Sequence, residues 1–240
     1  MDKVLLYFSL KYHGEWDKIY EALDRKEKIT QQELASVEQR IDCDYLTIIN
    51  PLYPTNLKNS HHPPFVLFYK GKIDLLVNYY KIFSFIYENK IENCNQQSFE
   101  RLVNNFKKEH KTFLLANLNS MSGYINRFVR ETSSNYILIT DTIASIDNNI
   151  DGLIISEGYD RNNNQIGFIT RLLITLATAT IVVEVAKKSS LIPVIEQGLN
   201  DQGSLFVLPL SVDVKNRANN ALIKLGAKLI ESSSDVLKDL

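Results

Sequence analysis

RLLITLATATIVVEV, Arg171–Val185, is the stretch that decides the fold. Its second half, ATIVVEV (179–185), is an almost unbroken apolar run with no polar alternation. Such a run suits a strand buried on both faces, as in a parallel sheet covered by helices. Its first half closes a helical stretch, Asn164–Ala177. NYILIT (135–140) repeats the continuous apolar pattern upstream. Further strand-type runs are Tyr45–Ile49, Phe65–Tyr69, Ile82–Ile86, Thr112–Ala116, Leu153–Ser156 and Ser204–Leu208. Helical stretches fall between them at Gln96–His110, Ser122–Ser133, Ser189–Leu199 and Asn216–Leu225. This alternation predicts an α/β chain with a Rossmann-like, doubly wound, mostly parallel sheet over residues 44–240.

The first forty-one residues read differently. Trp16, Ile19, Tyr20 and Leu23 recur at helical spacing, and Thr30 with Glu33 forms a capping-box pattern. Residues 1–41 are therefore expected to be a small helical N-terminal unit, too short for a large core of its own.

Composition excludes several classes. Apolar residues are 45% and charged residues 23%, the profile of a globular chain rather than a disordered one. No apolar run reaches the ~20 residues of a membrane span, and the N-terminal apolar stretch is too short for a signal peptide. A cytoplasmic address and no membrane association are expected. Cys43 and Cys94 are too few for a disulfide framework and lack the spacing of a zinc cage. His61 and His62 are adjacent but precede Pro63–Pro64 in a loop, so no metal site is expected and the pair reads as solvated. No GxGxxG, GxxxxGK[ST] or GxSxG occurs, which removes the main supports for a nucleotide-binding or hydrolytic enzyme. Net charge is −1, but residues 81–130 carry a balance of +4 and residues 131–170 one of −5. A local basic face remains open to a polyanion.

One loop has the chemistry to meet an anion. Lys187–Lys188–Ser189–Ser190 follows the strand 179–185 and precedes a helix. Serines can cap that helix while free N–H groups and two lysines face a phosphate. A solvated lysine turn with an ordinary cap is the alternative. Arg171 could hold a phosphate through two parallel bonds, or could pair with Glu157 or Glu184. Arg217 and Asn220 precede a helix and could contact a strand or order their own loop. Lys107, Lys108 and Lys111 are most simply the solvated end of a helix.

Several segments together carry a resemblance. In INPLYPTNLKNSHHPPFVLFYKGKIDLL (49–76), Tyr53, Pro54, Leu57, Pro63, Pro64, Leu67, Phe68, Tyr69, Lys70, Gly71, Leu75 and Leu76 fall on one family pattern. GLIISE (152–157), RLLITLATATIVVEV, KKSSLI (187–192), Phe206–Pro209 and RANNALIKLGA (217–227) continue it. Together they resemble the DprA/Smf family of DNA-processing proteins over roughly residues 44–230. Departures lie in the loops: KIFSFIYENK (81–90) lacks the family's glycine and arginine, and FLLANLNSMSGYIN (113–126) lacks its second glycine-rich loop.

The resemblance implies an extended Rossmann-like domain behind a small helical one. It implies a non-enzymatic protein without a cofactor that binds single-stranded DNA and passes it to the RecA recombinase in natural transformation. A homodimer paired through the C-terminal part is implied as well. The site residues on this reading are Lys187, Lys188, Ser189, Ser190, Arg171, Arg217 and Asn220. Two alternatives stay open: a degenerate scaffold without DNA affinity, and a nucleotide-binding enzyme of related fold.

Overall fold

The computed structural model describes residues 1–78, 81–88, 95–117, 123–133, 135–144, 146–147, 150–160, 165–200 and 204–240. Cys94, Ser122 and Asn164 lie outside the described residues. So do parts of the two divergent loops.

The chain opens with helices α1 (Asp2–Lys11), α2 (Trp16–Asp24) and α3 (Gln31–Ser36), then a 3-10 turn, Val37–Arg40. The capping box at Thr30 is formed in both directions. Glu33 also accepts from the Tyr7 hydroxyl at 2.9 Å, tying α3 back to α1.

A nine-stranded mixed sheet follows, with strands β1 (Asp44–Thr47), β2 (Val66–Gly71), β3 (Ile82–Tyr87), β4 (Thr112–Ala116), β5 (Tyr136–Ile139), β6 (Leu153–Ser156), β7 (Ala179–Glu184), β8 (Ser204–Val207) and β9 (Lys228–Leu229). Their spatial order is β1-β2-β6-β5-β4-β3-β7-β8-β9. Every pair from β6 to β9 is parallel, while β1–β2 and β2–β6 are antiparallel. The doubly wound expectation holds, with an antiparallel margin that apolar periodicity does not announce.

Continuous apolar strands are explained by two covered faces. Phe83, Phe85, Phe113 and Val183 belong to one core, shared with α1, α2, α6 (Gln96–Lys108) and α7 (Gly123–Thr132). Ile82, Ile86, Leu114 and Val182 belong to the other, shared with α8 (Gln165–Thr175), α9 (Ile192–Asn200) and α10 (Asn219–Lys224). The N-terminal helices bury Leu6 and Phe8 in the same core as Val66 and Phe68 of the sheet. The short helices α4 (Thr55–Lys58), α5 (Asp74–Val77) and α11 (Ser233–Lys238) complete the chain.

Two motif glycines meet here. Gly71 has φ +101°, and a Cβ on it would stand 2.3 Å from the Gly152 carbonyl oxygen. That oxygen accepts from the Lys72 amide at 3.0 Å, so only a residue without a side chain closes β2 onto β6.

Candidate nucleic-acid interface

Strand order reverses at β3, with β4–β6 on one side and β7–β9 on the other. In such sheets the crevice that receives ligands opens at the carboxyl ends of the strands flanking the reversal. Here those ends are Glu88, just after β3, and the loop 186–190 after β7.

Lys187 and Lys188 are exposed on that loop, and Ser190 is exposed beside them. The loop is held from two sides. The Lys187 amide donates to the Asn216 carbonyl at 3.1 Å, and Ala218 donates to Val185 at 2.9 Å. On the other side stands Glu88. One of its carboxylate oxygens accepts from the Ala186 amide at 2.6 Å, and the other accepts from the Ser189 hydroxyl. Helix α9 starts at Ile192 rather than Ser189. Ser189 does not cap that helix from its first residue: its oxygen accepts from the Leu191 amide at 3.1 Å within a turn. The Ser189 hydroxyl, expected as a helix cap, thus binds an internal carboxylate together with the Ala186 amide.

The remaining expected site residues point inward. Arg171 donates to the Glu157 carboxylate and to the His62 carbonyl oxygen. Burial pushes the Glu157 carboxyl up to about 7, against the opposing pull of Arg171. Glu157 Oε1 and Arg171 Nε are both buried without a hydrogen-bond partner. Burial also pushes the Tyr53 hydroxyl well above its usual range. Arg217 Nε donates to Glu184 at 2.8 Å, and Glu184 is fully buried at the end of β7. Asn220 clamps the Leu210 backbone, accepting at 3.0 Å and donating at 2.7 Å. Arg171 thus pairs with Glu157, one of the two carboxylates named for it, Arg217 pairs with Glu184, and Asn220 holds the backbone at Leu210.

Lys70, another motif residue, is buried and donates to Asp42 at 3.1 Å and to the Ile146 carbonyl at 2.8 Å. Among the described residues no three His, Cys, Asp or Glu side chains group as for a metal, and no helix is long and apolar enough to cross a membrane. An open concavity of about 580 Å³ beside α7 carries Arg127 and Arg130. Each guanidinium there already lies over a ring, Arg127 over Tyr124 and Arg130 over Tyr136.

Sequence reasoning missed three residues. Glu88 reaches its partners across 98 and 101 residues, a distance no local pattern bridges. Asn219 is fully buried and accepts from Val185 while donating to Val183 and Leu208. The third is Trp16, whose ring lies near-parallel to that of His62 at 4.3 Å. Of the histidine pair expected as a solvated loop, His61 is exposed in that loop, while His62 is half-buried against Trp16.

Comparison with known proteins agrees with this architecture. Residues 139–240 match the family model of DNA recombination-mediator protein A. No curated protein matches the sequence. DNA processing protein A (DprA) from Streptococcus pneumoniae has a similar structure, with a TM-score of 0.75, 17% identity, and 100% of this chain and 98% of that one covered. DNA processing protein A from Helicobacter pylori, described for its single-stranded DNA binding mode, gives a TM-score of 0.68 at 20% identity, covering 82% of this chain and 98% of that one. The chain thus shares the fold of these two DNA-processing proteins, and its C-terminal part, residues 139–240, resembles the family of DNA recombination-mediator protein A.

Proposed function

We propose that this protein binds single-stranded DNA without cutting or joining it, holding phosphates at Lys187 and Lys188. The observation that carries this reading is an exposed lysine pair on the loop after β7, at the crevice where the sheet order reverses and within the family match. The Helicobacter pylori relative, described for single-stranded DNA binding, supports it. On the family resemblance the bound strand is then handed to RecA during natural transformation in the cytoplasm, by a homodimer. Residues 1–41 act on this reading as a helical unit behind a Rossmann-like domain of residues 44–240.

A second reading has its own observation. Glu88 places a carboxylate on the Ala186 amide and the Ser189 hydroxyl, where an anion would otherwise sit. A chain that had given up DNA for a scaffolding role would have that arrangement.

Oligonucleotide binding at two salt concentrations separates the two. On the first reading the parent binds, and Lys187→Ala with Lys188→Ala lowers the log–log salt slope by about 1.4, roughly 0.7 per lost phosphate contact. Glu88→Gln should then tighten binding by removing a like charge. An absence of parent binding, with binding gained in Glu88→Gln, selects the scaffold.

A further inference from the structure

A chain of four near-parallel rings lies where the N-terminal helices meet the sheet. Tyr20 and Trp16 are 5.0 Å apart at 9°, Trp16 and His62 4.3 Å at 17°, and His62 and His61 3.8 Å at 24°. Its two ends are exposed: Tyr20 at 53% on α2, and His61 in the loop before β2.

The rings are held by bonds that a plain surface loop would not have. Trp16 donates its indole N–H to the Pro63 carbonyl at 2.9 Å. Arg171, itself paired with Glu157, donates to the His62 carbonyl. His62 sits at φ +52°, in the left-handed region that histidine tolerates better than most side chains.

Topology puts this stack on the edge that carries the lysine loop. Phe68 of β2 pairs antiparallel with Ser156 of β6, so the start of β2 lies at the carboxyl end of β6. Five strand spacings separate β2 from β7, roughly 24 Å at ~4.8 Å each. At ~3.4 Å per stacked nucleotide that distance is about seven nucleotides.

We propose that His61, at the exposed end of this stack, is a second contact for single-stranded DNA and receives a nucleobase, while the strand's phosphates lie at Lys187 and Lys188. An aromatic face accepts any base, so the contact is tolerant of sequence. Arg171 is then a positioning residue, which holds the His62 carbonyl and touches no DNA. This inference rests on the single-strand reading above and adds the base-contacting part of the same edge.

The test compares dT20 with a 20-mer of the same backbone lacking bases, each titrated into the full chain, His61→Ala and His61→Phe. His61→Ala should weaken dT20 binding about tenfold, the scale of one lost base–aromatic stack. It should leave the abasic strand unaffected, and His61→Phe should restore dT20 binding. Equal dT20 affinity in the parent and His61→Ala overturns the stacking contact and leaves the lysine site standing. If the parent binds neither strand, the single-strand reading itself fails and the stacking contact falls with it.

Discussion

Glu157 and Arg171 set the stability of the region under the ring stack. The folded Glu157 carboxyl titrates near 7, against an ordinary value of 4.5, because burial penalises its charge. The folded chain thus holds this proton more tightly than the unfolded chain. Stability from this group is full below about 4.5 and is lost as pH rises towards about 7. Arg171→Ala removes the cation that offsets the buried charge. We expect a loss of about 3 kcal/mol at pH 8 and a smaller loss at pH 5.5, where the carboxyl takes up a proton. Urea unfolding at both pH values checks this; equal losses would show that charge pairing is not the cause. The pairing of Arg171 with Glu157 was legible in the sequence as one of two partners. The role of Glu88 was not, because a carboxylate at the end of β3 gains meaning only when β7 lies beside it.

Helix α10 shows how a short element is fixed without capping. Its six residues carry no side-chain N-cap, yet Asn219 in its first turn makes three backbone hydrogen bonds to the ends of β7 and β8. Asn219→Ala should cost about 3 kcal/mol, since two carbonyls and an amide lose buried partners at once. Urea unfolding should show a lower midpoint at unchanged slope. Asn220→Ala, at a half-buried clamp on one residue, should cost roughly 1 kcal/mol. Thr112–Ala116 and Leu153–Ser156 were legible to the residue, because strands buried on both faces are apolar without interruption. The start of α9 was not: Ser189 reads as a cap, but its hydroxyl donates to Glu88 and the helix begins three residues later. Strand direction at β1 and β2 was also hidden, since alternation records burial and not pairing.

Across the whole molecule, the sheet ends at β9 in a two-residue strand whose side chains are exposed. Leu229 is 49% exposed there and Leu225 62% exposed nearby, while Ile230 and Val236 are buried in the chain's own core. The homodimer expected from the family resemblance would have this margin as its seam. Light scattering of the parent should then give twice the mass of the chain, and Leu225→Glu with Leu229→Glu should give the single mass. A parent of single mass at high micromolar concentration would rule the seam out. That helices precede the first strand at Asp44 was legible as a change of periodicity. The burial of both parts in one core was not, because Leu6 and Phe8 find Val66 and Phe68 only after the sheet forms.

The central place of β3 also shapes how the chain emerges from the ribosome. Ser84 of β3 and Thr180 of β7 share a buried hydrogen bond across 96 residues of sequence. At ~5–20 residues per second, β3 waits roughly 5–20 s for the neighbour that completes it. During that interval β4 can cover one side of β3, while the other side offers unpaired backbone and apolar residues to any passing chain. Nascent chains stalled before residue 179 should for this reason be the aggregating species, and finished chains should not.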